Sequence, residues 1–197
     1  MASVSDNFNR ADGAIGANWT VDSGSINVVS NVAEPQTASD MNRARYTATA
    51  MDSSNHYAQA LIGGRTAGSN QGAVTARQAS STWTQYSANF VATSDEYWLR
   101  KTVDGTESTL GTYASGTGAH TLRCTANGST ISMDIDGTER VSVTDSAIAS
   151  GTYVGIEVYN SSTGRWDDFA GADLAASGSG RLVNGCLVNG LLMGSLA

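Results

Sequence analysis

AHTLRCTANGSTISMDIDGTERVSVTDSAIASGTYVGIEVYN, residues Ala119 to Asn160, reads as a β-meander, and that reading decides the fold. Asn127-Gly128 and Asp136-Gly137 are dipeptides that tolerate the positive φ angles of type I′ hairpin turns, and each lies between runs alternating apolar and polar residues. The alternation assigns the faces. Leu122, Cys124 and Ala126 point one way, with Ile131, Met133 and Ile135, then Val141 and Val143, then Val154, Ile156 and Val158. Arg123, Thr125, Ser132, Asp134, Ser142 and Glu157 point the other way, so one face is core and the other wet, as in an antiparallel sheet.

Composition agrees with this pattern. The chain has 197 residues with 22 glycines and few charges, enough for one substantial β domain and an appendage. Helix formers nowhere cluster with a 3.6-residue period, and Ser, Thr, Gly and Val dominate, so the expected class is an all-β sandwich or barrel. A net charge of −7 with scattered Lys and Arg argues against nucleic acid as a partner. No apolar run reaches the length of a membrane span, and MASVSDNFNR lacks the basic start and apolar stretch of a secretory signal. Cys124 and Cys186 show no metal-ligand spacing and are too few for a disulfide scaffold; they read as a buried thiol and a tail thiol.

Earlier in the chain, Asp6 to Trp19 reads as an opening strand with a turn at Asp12-Gly13, Phe8 and Trp19 serving as core anchors. Pro35 sits in a polar segment, AEPQTASDMNRA, expected to be a loop. Tyr57 to Gly63, Ala73 to Gln78, Gln85 to Ala92 and Glu96 to Val103 are strand-length runs, and Asp104-Gly105 signals a hairpin leading into Ser108 to Tyr113. Short strands at this spacing form a sandwich or barrel. The domain is expected to span residues 1–176.

Beyond it the composition changes. Ser177 to Gly180 is a short flexible linker. Residues 181–197, RLVNGCLVNGLLMGSLA, repeat the unit LVNG and carry Leu182, Val183, Leu187, Val188, Leu191, Leu192 and Leu196. The segment is too short for a bilayer, too rich in glycine for a stable helix and too apolar to stay solvated, so it is expected to be an arm for attachment or self-association; folding back on its own domain as an extra strand is the alternative.

The succession DNFNRADGAIGANWTV, EYWLRKTVDGTESTLGTY, HTLRCTANGSTISMDIDGTERVSVTD, GTYVGIEVYN and GRWDDFAGADL, from about Ser5 to Leu174, resembles the concanavalin A-like, laminin-G-like jelly-roll domains of tailed-phage virion proteins. The resemblance implies a two-sheet antiparallel jelly roll with a convex and a concave face, glycan binding, and a place as an accessory module on a capsid or tail. The expected function is therefore a non-catalytic virion structural protein, a capsid decoration or tail-associated component. It would be assembled in the host cytoplasm and displayed on the virion surface. Its arm would hold it to a major capsid or tail protein or to copies of itself, for instance as a trimer. The alternative is a carbohydrate-binding module for host or environmental glycans, and a glycoside hydrolase of the same fold is third.

The chemistry separates these readings only in part. Retaining hydrolases of this fold carry a Glu-x-Asp-x-x-Glu run on one strand, with the two working carboxylates about 5 Å apart. The nearest match, Asp134 to Glu139, begins with Asp and turns at Asp136-Gly137, which sends Glu139 to the next strand. His56 and His120 lack a paired nucleophile, so no catalytic residue is assigned. The same acidic run and Asp167-Asp168 offer oxygen ligands for calcium, but acids in β-turns usually serve the turn, and no cofactor is assigned. For glycans, an aromatic platform with hydrogen-bonding neighbours is needed, and Trp83, Trp98, Arg100, Arg77 and Tyr86 are the candidates. Trp98 and Arg100 share one strand face, either exposed or core; Trp166 carries the same ambiguity.

Overall fold

A computed structural model describes residues 1–37, 41–63, 72–91, 94–114, 118–159 and 164–175, and the backbone of 182–183 and 186–187; counts and absences below refer to these residues. They contain no helix. The first strands are β1 (Ser3–Asp6), β2 (Gly13–Ala14), β3 (Trp19–Ser23), β4 (Ile26–Val29), β5 (Val32–Pro35), β6 (Met41–Tyr46) and β7 (His56–Gly63). Four successive strands follow: β8 (Gly72–Gln78), β9 (Gln85–Val91), β10 (Glu96–Val103) and β11 (Thr106–Ala114). Then come β12 (His120–Asn127), β13 (Thr130–Ile135), β14 (Thr138–Thr144), β15 (Tyr153–Tyr159) and β16 (Arg165–Asp173).

Every pairing is antiparallel. A nine-stranded sheet runs β14-β13-β12-β7-β16-β5-β4-β2, with β1 also on β16; a seven-stranded sheet runs β11-β10-β9-β8-β15-β6-β3. The two inner faces meet in one core, where Leu122, Cys124, Ile131 and Met133 of the first sheet join Val74, Ala88, Leu99 and Ile156 of the second, all fully buried. Burying each large aliphatic side chain is worth about 1.5–3 kcal/mol. Phe8 and Trp19 are core anchors as expected: Trp19 packs edge-on against Tyr46 and Phe169, and its indole N–H donates to Asp6 at 2.8 Å.

The turn chemistry is as read at two of three positions. Asp104-Gly105 and Asp136-Gly137 both have positive φ at each residue, the type I′ requirement. In the third hairpin the ladder pairs Asn127 with Thr130, so the two-residue loop is Gly128-Ser129, with positive φ at Gly128 alone; this is the type II′ pattern, one residue later than Asn127-Gly128.

The meander holds for three strands and breaks at the fourth. β12, β13 and β14 pair in order, but β15 crosses to the other sheet and lies between β8 and β6. The crossing segment is held by Asp145, which accepts from Lys101 at 2.5 Å and from the Tyr86 hydroxyl at 2.6 Å, and by the buried Ile148. Glu157 does face away from the core, as its parity predicts, but in a central strand and beneath neighbouring side chains it is only 2% exposed. Pro35 also departs from expectation. Ala33 and Pro35 are buried in β5, and Pro35 stands opposite Ile26 at the end of the strand, where a missing N–H is tolerated. Trp166 is core, its indole N–H donating to Ala73 O at 3.0 Å.

The linker lies outside the described residues, as do Val188, Leu191, Leu192 and Leu196 of the arm. The described arm positions form a small ladder, Leu182–Val183 (β17) antiparallel to Cys186–Leu187 (β18), so this part of the arm pairs with itself.

Candidate functional site

The outer face of the seven-stranded sheet is built by simple alternation. In QYSANF, residues 85–90, Tyr86, Ala88 and Phe90 enter the core and Gln85, Ser87 and Asn89 face outward. Register then carries the outward positions across the sheet in rows. Trp98, Asn89, Ala73, Glu157 and Arg43 form one; Arg100, Ser87, Thr75, Gly155 and Arg45 form the next; Thr102 and Gln85 begin a third. Gly155 sits where any Cβ would meet Ala44 O and the Gln78 side chain, so the polar groups close in over the backbone there.

These side chains are tied together. Arg45 donates to both oxygens of Asp22 through Nε, at 2.7 and 3.0 Å, and again through a terminal nitrogen at 2.8 Å. Such a fork is the strong form of the ion pair, and the Asp22 carboxylate raises the Arg45 pKa. Gln78 adds a bond to Asp22 at 3.2 Å, and Thr75 donates to Gln78 at 3.0 Å. Near the middle, Glu157 accepts from the Gln85 amide and from Ser87. Burial pushes its carboxyl up to about 7, with the neighbouring Glu107 adding to the effect and Gln85, Arg43 and Ser87 opposing it.

Aromatic rings border this polar field. Trp98 is half-buried, with Arg100 stacked 4.3 Å from its ring centroid. Trp83, in the β8–β9 connection, is half-buried with Arg43 at 5.7 Å from its ring. Tyr153 receives Arg45 at 5.1 Å, and Tyr159, 56% exposed, stands at the end of β15 beside a depression lined by Asn89, Arg100, Glu107 and Glu157.

Three of the five residues singled out from sequence thus lie together on one face: Trp83, Trp98 and Arg100. Arg77 and Tyr86 do not. Arg77, with φ +50° and 2% exposure, turns its guanidinium to the carbonyls of Ser54, Gly128 and Ile148 at 2.7–2.8 Å. Tyr86 is a core residue by strand parity, its hydroxyl holding Asp145 and accepting from Ile148 N; burial pushes that hydroxyl up to about 12. Gln85, Ser87, Asn89, Thr102, Arg43 and Glu157 were not singled out. The period-two polar residues in QYSANF were the available signal for the first three; the contribution of β6 and β15 depends on a sheet order that sequence does not display.

The acidic run lies elsewhere. Asp134 and Glu139 are register partners across β13 and β14, so they do share a face, but it belongs to the nine-stranded sheet, and Arg123 stands 3.9 Å from Asp134. Burial raises the Asp134 pKa. Asp136 is engaged by His120 at 2.6 Å, and Asp167 caps the N–H of Asp168 at 2.8 Å. Among the described residues no cluster of three His, Cys, Asp or Glu is arranged to hold a metal ion.

No protein-family model matches the sequence, and no curated protein matches it. Solved structures do match the fold. Carbohydrate-binding module CBM66 from Bacillus subtilis superposes with a TM-score of 0.63 at 18% identity, covering 82% of this chain and 96% of that one. A β-1,3-1,4-glucanase (lichenase) from a mouse hindgut metagenome gives 0.62 at 9% identity, over 88% and 100%. The exoplasmic/lumenal domain of VIP36, in its Ca2+-bound form, gives 0.63 at 8% identity, over 90% and 92%. The fold is the concanavalin A-like jelly roll. At these identities the likeness is one of fold alone, and this jelly roll's chemistry rests on its own side chains.

Proposed function

We propose that this protein is a non-catalytic carbohydrate-binding module and that it holds glycans on the outer face of its seven-stranded sheet. The observation that carries the reading is the pair of half-buried tryptophans, Trp83 and Trp98, bordering a field of hydrogen-bonding side chains between them. Sugars present apolar C–H faces and dense hydroxyls, which such a surface complements. That CBM66 is named a carbohydrate-binding module and VIP36 has been solved with Man3GlcNAc supports it by analogy of fold. The acidic run with Asp134 and Glu139 lies on the opposite sheet and takes no part in this face. Affinity electrophoresis through gels containing glucans and mannans tests the reading: retardation of the full chain, without release of reducing sugar, is expected. Free migration through every polymer would overturn it.

A second reading has its own support. A virion decoration or tail-associated protein, anchored and oligomerised by the arm, is favoured by the repeated LVNG unit and by the pairing of Leu182–Val183 with Cys186–Leu187, which starts a β element outside the sandwich. Light scattering of the full chain beside a version stopped at Ala176 tests it. An oligomer that becomes a monomer on truncation is the expected result; two monomers would remove self-assembly through the arm.

A further inference from the structure

The binding face contains polar atoms that are buried and incompletely partnered. Gln85 and Thr102 are register partners on β9 and β10, and both are 0% exposed. Gln85 gives its amide to Glu157, but Gln85 Oε1 meets no donor, and Thr102 Oγ1 meets no partner among the described residues. Two donors share this condition, Trp83 Nε1 and Arg43 Nε, the latter 3.7 Å from Asp22 and so beyond hydrogen bonding. Only five such buried atoms occur among the described residues, and four of them belong to this face. Buried polar groups in folded proteins are normally paired, and a cluster of exceptions at one place calls for partners that the chain itself does not supply.

The cluster is also assembled by several elements. Trp83 is anchored through its carbonyl to the Gly105 amide at 2.9 Å, in the β10–β11 turn, while its ring meets Arg43 from β6. The Trp83 ring, from the β8–β9 connection, therefore approaches a side chain of β6, which lies two strands from β8 in the sheet.

We propose that Trp83, Arg43, Gln85 and Thr102 form a subsite for one uncharged, hydroxyl-rich sugar unit; this rests on the glycan-binding reading and specifies its ligand class. The missing partners decide the class. Trp83 Nε1 and Arg43 Nε require acceptors, Gln85 Oε1 requires a donor, and Thr102 can act as either. A sugar hydroxyl supplies both roles in one group. A carboxylate or sulfate supplies acceptors only and leaves Gln85 Oε1 unpaired. The indole of Trp83 offers the apolar surface that the C–H face of the ring requires.

The experiment is affinity electrophoresis of the full chain in mixed-linkage β-1,3-1,4-glucan, in mannan and in polygalacturonate, with Thr102→Val, Trp83→Phe and Trp98→Ala. Thr102→Val keeps the shape and deletes the hydroxyl; Trp83→Phe keeps an aromatic ring and deletes the N–H. Retardation by a neutral polymer and not by polygalacturonate is expected. Each of the first two variants should weaken that binding about tenfold while keeping the wild-type Tm. If Trp98→Ala loses binding and Thr102→Val and Trp83→Phe keep it in full, the subsite is refuted and the glycan-binding reading stands. Preference for polygalacturonate refutes the neutral class. Failure of all three polymers to retard the wild type refutes both proposals.

Discussion

Arg100 lies on Trp98: its guanidinium carbon is 4.3 Å from the indole centroid, while Glu96 accepts the indole N–H at 2.8 Å and Glu107 stands 3.6 Å from the guanidinium. The ring is thereby fixed in orientation by three side chains from β10 and β11. Fixing an aromatic platform before the ligand arrives lowers the ordering cost of binding. Trp98→Ala is therefore expected to weaken glycan binding by about tenfold or more, near 1.4 kcal/mol, with little change in Tm. Isothermal titration with whichever polymer retards the wild type measures this, and an unchanged affinity would remove Trp98 from the site.

Glu157 predicts a pH dependence of stability. Its carboxyl is pushed up to about 7 from an ordinary value of 4.5, chiefly by burial. The native state therefore binds a proton that the unfolded chain has released, and stability falls as pH rises from 4.5 to 7. The ionised form costs on the order of 3 kcal/mol at pH 8. Glu157→Gln keeps the shape and the bond to Gln85 and removes the charge, so its Tm at pH 8 should exceed that of the wild type by several degrees, and the gap should close by pH 4.5. A Tm difference independent of pH is the contrary outcome.

Which parts of this could be read from the chain follows from what alternation encodes. Inward positions such as Leu122, Met133 and Ile156 are legible because period two is local; many such strands joined by turn dipeptides gave a sandwich or barrel, and the jelly roll came only from the family resemblance. Strand order is not local. β15 has the same alternation whether it continues the meander or crosses over, and the crossing is decided by Asp145 meeting Lys101 and Tyr86, residues 44 and 59 positions away. For the same reason Trp98 and Trp83 could be nominated as aromatic platforms, whereas Arg43 and Glu157 join them only through the register of β6 on β15. Arg77 was misread because its positive φ rotates the side chain out of the strand's parity, and nothing in TARQ announces that turn.

Arg77 is accordingly predicted to matter for stability, not for binding. Its guanidinium ties three backbone carbonyls from separate segments, Ser54, Gly128 and Ile148. Arg77→Met fills similar volume but leaves those carbonyls without their donor, at about 1–3 kcal/mol each where water cannot reach. A loss of about 3–5 kcal/mol in urea unfolding is expected, with glycan affinity per folded molecule unchanged. A loss below about 1 kcal/mol would mean that the carbonyls find other partners.

His56 opposes Glu157. Its Nε2 accepts the Arg77 backbone N–H at 2.9 Å, so that nitrogen is unprotonated and Nδ1 donates to Ser53 O at 2.8 Å. The ring is 0% exposed, and burial, more than the nearby Arg77 charge, lowers its pKa from 6.5. Protonation would set an N–H against an N–H. The unfolded chain takes up this proton and the native state refuses it, so the contribution is complete above pH 6.5 and is lost as pH falls below it. Over the same interval Glu157 gains stability, and the two trends offset each other in the wild type. Asp6, Asp136, Asp145 and Asp173, all lowered from 3.8, titrate too low to intrude at pH 5. In Glu157→Gln the histidine loses that counterweight, and Asp134, raised from 3.8 by burial, is left as the carboxyl that still adds stability as pH falls. The Tm of that variant is expected to drop between pH 7 and pH 5, and more steeply than that of the wild type; a flat profile would show that His56 stays neutral or finds an acceptor when charged.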